Sequence, residues 1–386
     1  VNSNKKTSIA FIINNLNRGG AENFITLLSN SLITEYNIHI ITLNDEKNEY
    51  KLNNSIKLYN LDSKRNIFAF FLNPFKIYYY LKNNNIQFLN AFLYKSIFFA
   101  TISKILLNYK SFLIIHERTF SENFFKTSIF KKIVGKIFIK YFYNKSNLII
   151  VNSKSSRISL LNYYSIKKEI LVLYNPVKDP YSINNSYNNN LFKILNVGNH
   201  HKYKNQELLI KSVANLNFSN WELHLIGKGP ETKKLKELTN KLNLSNKIFF
   251  LNSVDSYLHY NNFTIFVSTS NLEGFPNVLL EAMIHKLPII STDCKSGPRE
   301  IIAPNTNYNI NLSINENFEL DEFGILVPTN SEKSLKSAIE YLYYNKDCIQ
   351  DYKDKSYKRA IYFSLSTTII NFKNIISNYE QVRFKN

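Results

Sequence analysis

The sequence predicts an α/β protein of two domains, each built on a mostly parallel sheet. Three observations lead there. The 386 residues suffice for two cores of ordinary size. Short β-branched apolar runs alternate with stretches of helical period along most of the chain. An Asn/Ser-rich stretch, Ser182 to Asn190, interrupts that alternation near the middle and has nothing to bury.

The first element is a strand in "TSIAFII", followed by a polar turn holding Gly19 and Gly20 and then a helix with Ala21, Phe24, Leu28 and Leu32 on one face. "NIHIITLN" follows directly as a second strand, which makes a βαβ crossover with parallel strands. Further strands read at "IQFLNAF", "SFLIIHE" and "LIIVNS", separated by helical stretches. From Phe124 to Lys145 the pattern is amphipathic: Ile129, Ile133 and Ile137 recur every fourth residue, as do Lys132, Lys136 and Lys140 on another face. A basic helix of this kind lies in a bilayer interface, or else packs its apolar side on the sheet as surface helices usually do.

Asn175-Pro176 closes the first series. A second opens with strand "FKILNVG", a helix from Gln206, strand "ELHLIG", a helix from Glu231 and strand "KIFFLN". Strand "FTIFVSTS", a helix from Asn277 and strands "PIISTD" and "GILVP" complete it. Residues 1–175 and 176–365 are thus two similar halves with a cleft between them, and 366–386 form a last helix folding back on the first.

Composition narrows the function. Two cysteines, Cys294 and Cys348, make no disulfide framework and no C-x-x-C pair, which points to a reducing compartment. Lys76, Lys82, Lys95 and Lys104 interrupt the most apolar region, so no spanning helix is expected, and no secretory signal is read at the start. The net charge of +19 is lopsided: up to Asn175 there are 24 basic and 9 acidic residues, a balance of +15. Such a field favours a polyanionic surface. Only seven of the 48 basic residues are Arg, which argues for an anionic membrane over nucleic acid, whose readers lean on Arg forks.

Eight of the nine glycines sit in turns at or near strand ends, where open α/β sheets bind their ligands. "STSNLEGFPNVLLEA" carries the sharpest signal, with Glu273 in a turn, Pro276 near a helix start and Glu281 about one turn in. Helix-start N–H groups receive an anion, and carboxylates accept hydrogen bonds from sugar diols. A corner flanked by two carboxylates therefore fits a nucleotide-sugar.

"STSNLEGFPNVLLEAMIHKLPIISTDCKSGPREI", together with "NNLNRGGAE", "ILNVGNHHKYKNQELLI", "LHLIGKGPE" and "GILVP", resembles the family-4 retaining glycosyltransferases of GT-B fold. The motifs follow the family's order over nearly the whole chain. The resemblance implies two Rossmann-like domains facing a central cleft, a nucleotide-sugar, UDP-linked by analogy, held by the second domain, an acceptor bound by the first, and neither metal nor cofactor.

On that resemblance Glu273 contacts the transferred sugar, Gly274, Phe275, Pro276 and Asn277 line its pocket, and Glu281 binds the ribose. Lys204 matches the lysine that neutralises the diphosphate. Asn199 stands where the family usually has arginine, so His200, His201, Lys202 or Arg299 would supply the second charge. Gly19 and Gly20 match the loop that closes over the donor phosphate. His116, Glu117 and Arg118 face the acceptor; His116 is the candidate base, the alternatives being that Glu117 is the matching residue or that no protein base is needed. "SGPRE", Ser296 to Glu300, is similar to the variant in bacterial enzymes that build lipid-linked oligosaccharides, lipopolysaccharide and O antigens. With the basic first half, it implies a hexose or N-acetylhexosamine transferred to a lipid-linked glycan. The enzyme would then be cytoplasmic, peripherally associated with the inner face of the membrane. Two other readings stand beside it: a dinucleotide-dependent Rossmann enzyme, disfavoured by the missing G-x-G-x-x-G after the first strand, and a non-catalytic basic protein binding membrane or nucleic acid.

Overall fold

The computed structural model describes residues 6–17, 19–44, 50–61, 67–107, 110–118, 129–178, 191–252, 260–308 and 310–383. The Ser182–Asn190 stretch and the first five residues of the Phe124–Lys145 segment lie outside these. The chain divides into two compact units, Val1–Asn175 with Thr368–Asn386, and Pro176–Thr367.

The first unit is a seven-stranded parallel sheet. Its strands are β1 (Ser8–Ile13), β2 (Asn37–Thr42), β3 (Lys57–Asn60), β4 (Phe88–Phe92), β5 (Phe112–Glu117), β6 (Leu148–Val151) and β7 (Ile170–Val172), in the order β3-β2-β1-β4-β5-β6-β7. Burial on both faces explains the near-continuous apolar runs. In β1, Ile9, Phe11 and Ile13 face one core, shared with Phe24 and Leu28 of α1 (Gly20–Leu32). Ala10 and Ile12 face the other, which is covered by α2 (Ile67–Asn83), α3 (Tyr94–Leu107), α4 (Ile129–Tyr143) and α5 (Lys154–Tyr164).

The second unit repeats the plan. Its strands are β8 (Phe192–Val197), β9 (Trp221–Ile226), β10 (Ile248–Leu251), β11 (Ile265–Ser268), β12 (Ile289–Thr292), β13 (Glu319–Asp321) and β14 (Gly324–Val327), ordered β10-β9-β8-β11-β12-β14-β13. Only the short edge strand β13 runs antiparallel. Helices α6 (Gln206–Ala214), α7 (Thr232–Lys241), α8 (Asn277–Ile284), α9 (Pro298–Ile302), α10 (Glu332–Tyr344) and α11 (Lys346–Tyr362) flank the sheet. In both sheets strand order reverses beside the first strand of the unit, between β1 and β4 and between β8 and β11. Those are the switch points where such sheets hold ligands.

A helix separate from α11 runs through most of the 366–386 stretch read as the last one. Ser364 Oγ accepts from Thr367 N at 3.3 Å, an N-cap that starts α12 (Leu365–Arg383) afresh. Phe372, Ile375 and Ile376 of α12 then enter the first unit's core beside Phe11. No helix among the described residues is long and apolar enough to cross a membrane.

Candidate active site

The β8–α6 loop carries Lys204 and the β11–α8 loop carries Glu273, so the switch point of the second sheet brings together two residues far apart in sequence. Lys204 Nζ lies 2.5 Å from Glu273 Oε1, and both side chains are largely buried. Ser270 Oγ donates to the same oxygen at 2.6 Å. The loops are tied together behind the pair, since Thr269 Oγ1 donates to Lys204 O at 3.0 Å and Asn271 N to Tyr203 O at 2.7 Å. The cation is thus held in place by the Glu273 carboxylate in a partly desolvated setting.

The Gly274–Phe275–Pro276 corner is braced from behind. Gly297, at φ +94°, lies so close that an added Cβ would meet Pro276 Cδ at 2.3 Å. Ser296, also in the left-handed region at φ +67°, donates through Oγ to Gly274 O at 2.7 Å. Pro276 is the N-cap residue of α8 and Asn277 its first residue, which leaves the opening N–H groups of α8 at the corner. Glu281, one turn in, accepts from Tyr260 Oη at 2.9 Å, and Tyr260 stacks on His285 with centroids 5.1 Å apart.

Asn199 is exposed, and its carbonyl accepts from His201 N at 2.8 Å. It brings no charge. Arg299 does not supply one either: its guanidinium is spent on Asp293, at 2.7 Å from Nη2, and on Glu319, at 2.9 Å. Thr306 takes a further bond. Both partners hold the Arg299 pKa above its ordinary value, although burial alone would lower it. A buried guanidinium satisfied by two carboxylates acts as a tie between them. His200 is fully buried, with Nδ1 on Thr232 Oγ1 at 2.9 Å. Lys202 is exposed.

In the first unit, Gly19 is the N-cap residue of α1 and Gly20 its first residue. The Glu22 carboxylate folds back so that a Cβ on Gly19 would lie 2.1 Å from its Oε2, and burial raises the Glu22 pKa. At the end of β5, His116 stacks on Phe92 with centroids 4.1 Å apart. Its Nε2 pairs with Asn90 Oδ1 at 2.9 Å and its Nδ1 with Arg118 Nη2 at 3.1 Å. An amide oxygen only accepts and a guanidinium only donates, so the proton sits on Nε2 and the Nδ1 lone pair is taken. Burial and the Arg118 charge push the His116 pKa well down.

In this arrangement both ring nitrogens of His116 are engaged. Glu117 is equally committed, accepting from Tyr143 Oη at 2.5 Å. Arg118 lies over the Phe24 ring at 3.7 Å and donates to Leu173 O and Asn175 Oδ1; burial lowers its pKa to about 9.

One contributor was not legible in the sequence and another only in part. Tyr260 is one of 26 tyrosines and has no local mark. Ser270 is the Ser of the Ser-x-x-Glu-Gly-Phe-Pro motif, but its bond to Glu273 is visible only in the fold.

Family comparison identifies both halves of the chain. The model described as Glycosyltransferase Family 4 matches residues 18–179, and that described as Glycosyl transferases group 1 matches residues 178–359. The chain belongs to the glycosyltransferases. A Campylobacter jejuni N-acetylgalactosamine-N,N'-diacetylbacillosaminyl-diphospho-undecaprenol 4-alpha-N-acetylgalactosaminyltransferase is 29% identical over 364 residues, covering 91% of this chain and 94% of that one. Among solved structures, sucrose-phosphate synthase from Thermosynechococcus elongatus superposes with a TM-score of 0.81 at 15% identity, covering 99% of this glycosyltransferase and all of that chain. HepE from Anabaena, in complex with UDP, gives 0.77 at 16% identity, covering 96% and 100%. These glycosyltransferase neighbours share the GT-B fold, with its two parallel-sheet α/β domains.

Proposed function

We propose that this glycosyltransferase moves a hexose or N-acetylhexosamine, with retention, from a UDP-sugar to a glycan carried on a polyprenyl diphosphate at an anionic membrane surface. The observation that carries the reading is the Lys204–Glu273 pair at the switch point of the second sheet. An acceptor oxygen bonds to the anomeric carbon as the bond from that carbon to the phosphate oxygen breaks. The electron pair leaves with the diphosphate, and the acceptor proton passes to the departing phosphate oxygen. Lys204 and the N–H groups at the start of α8 stabilise the charge that develops there. Glu273 orients the sugar hydroxyls and Glu281 the ribose. UDP as the nucleotude carrier is supported by the HepE complex, and the lipid-linked acceptor by the Campylobacter relative's name.

The membrane part rests on α4. Phe138, Ile139, Phe142 and Tyr143 turn inward, Phe138 and Phe142 packing on Phe98. Ile133, Ile137 and Tyr141, the continuation of the every-fourth-residue stripe, are at least half exposed, with Lys136 and Lys140 exposed on the same helix. An apolar stripe left in water and flanked by lysines has the chemistry of an interfacial helix. On α2, Phe71, Leu72 and Tyr79 are exposed as well.

A mass-spectrometric transfer assay with a panel of nucleotide-sugars and polyprenyl-diphosphate glycans tests the proposal. A glycosylated lipid product from a UDP-sugar, lost in Lys204→Ala, is expected. Transfer only to water-soluble acceptors, or undiminished transfer by the variant, would overturn it.

A further inference from the structure

A cavity of about 310 Å³ opens in the second unit where the first turns of α6, α7 and α10 meet. That is the lower end of the size range of small-ligand pockets, roughly 300–1,000 Å³. Neither Lys204 nor Glu273 lines it, so it is not the seat of the transferred sugar.

Its charges cancel. Three lysines and three glutamates line it, and most are tied to one another across the three helices. Lys234 meets Glu207 at 2.7 Å, Lys211 meets Glu207 at 3.0 Å, and Lys211 reaches Glu332 at 3.7 Å. An ionic ligand would gain no net field here, and four of the six charged groups are already paired.

The neutral groups are arranged differently. Asn205 Nδ2 donates to Asn330 Oδ1 at 3.0 Å and, more weakly, to Asn271 Oδ1 at 3.4 Å. That use of one amide leaves the Asn205 carbonyl as an acceptor and the Asn271 and Asn330 amino groups as donors on the cavity wall. Asn205 and Asn330 are both in the left-handed region, at φ +50° and +61°, where Asn is among the residues best tolerated. Leu208 and Leu235 supply apolar surface beside them. A wall that mixes donors, acceptors and a small apolar floor, with no net charge, matches a pyranose, whose hydroxyls both donate and accept and whose C–H face is apolar.

We infer that this cavity is a second, neutral-sugar subsite, taking one hexose or N-acetylhexosamine unit apart from the donor. Its occupant would touch Asn205, next to Lys204, and Asn271, two residues before Glu273. Sugar in the subsite therefore stiffens the two loops that carry the ion pair. The inference stands on the cavity itself and survives if the acceptor proposed above is wrong.

Saturation-transfer NMR on the full chain tests it, using the methyl glycosides of N-acetylgalactosamine, N-acetylglucosamine and glucose, each with and without saturating UDP. Inorganic phosphate serves as the anionic competitor. Transfer to at least one glycoside is expected to persist under UDP, to resist phosphate, and to fall fivefold or more in Asn330→Gly, which tolerates the same backbone angle. Lys211→Met, a second variant, on α6, removes the pairs that tie α6 to α10 at the cavity and should weaken it too, with UDP affinity unchanged in both. Absence of transfer, its loss on adding UDP or phosphate, or equal transfer to both variants would overturn the subsite.

Discussion

Arg118 Nη2 lies 3.1 Å from His116 Nδ1, and this contact fixes which nitrogen of His116 carries its proton. The ring bridges Arg118 and Asn90 as a neutral strut.

A glutamine can reproduce both bonds, one through its amino group and one through its carbonyl. His116→Gln should keep transfer within about tenfold of the parent, whereas loss of a general base costs roughly 10²–10⁴. The pH profile of kcat/KM should show no inflection assignable to His116 and be unchanged in the variant. Steady-state rates from pH 5.5 to 8.5 check both.

Lys204→Ala should lower kcat by about 10²–10³, the loss typical for removing one donor to developing charge. Glu273→Gln frees Lys204 but removes the carboxylate that orients the sugar, so turnover should fall while UDP binding changes little. Turnover measured beside calorimetric UDP affinity separates the two effects.

Glu281→Ala should weaken UDP binding by about 1.5–3 kcal/mol, the range for a hydrogen bond to a charged group. Tyr260→Phe removes only the bond that steadies Glu281 and should cost about 1 kcal/mol or less. Calorimetric titration with UDP measures each.

Lys136→Gln and Lys140→Gln should each lower binding to anionic liposomes by about 1 kcal/mol, roughly fivefold. Ile137→Ser should lower it further. Ile137 is 63% exposed, so Tm should hardly move and donor hydrolysis should be unaffected. Cosedimentation with anionic and zwitterionic vesicles is the readout.

Five histidines are held neutral by the fold. Burial lowers the pKa of His39 to about 4 and that of His116 well below the usual value, and it lowers His200, His224 and His285 as well. In the unfolded chain each titrates near 6.5. Their stabilisation is therefore complete above about pH 6.5 and is lost as pH falls toward their folded values. Urea midpoints should drop between pH 7 and 4.5, with His39 alone accounting for about 1–2 kcal/mol after screening. The drop should shrink in His39→Gln.

Much of this protein was legible before folding. The β-branched runs, the glycines at strand ends and the Glu273–Glu281 spacing depend on neighbours within a turn or two, and periodicity reports such neighbours directly. Edge strands β3, β7 and β13 escaped because they are short and only partly buried, unlike the equally short but fully buried β6 and β14. The first unit's α4 marks the limit of pattern reading. Its apolar period was plain, yet the same period serves a helix that packs Ile133 and Ile137 inward and one that leaves them in water.

The sequence alone determined two parallel α/β units and the Glu-Gly-Phe-Pro corner, since local apolar period and turn chemistry specify those without distant partners. Tertiary structure decided that Lys204 meets Glu273 across 69 positions, that Arg299 is consumed by Asp293 and Glu319, and that His116 is sealed between Asn90 and Arg118. Each depends on which strands lie side by side and on which charges burial forces into pairs, and neither is written in the order of residues along one segment.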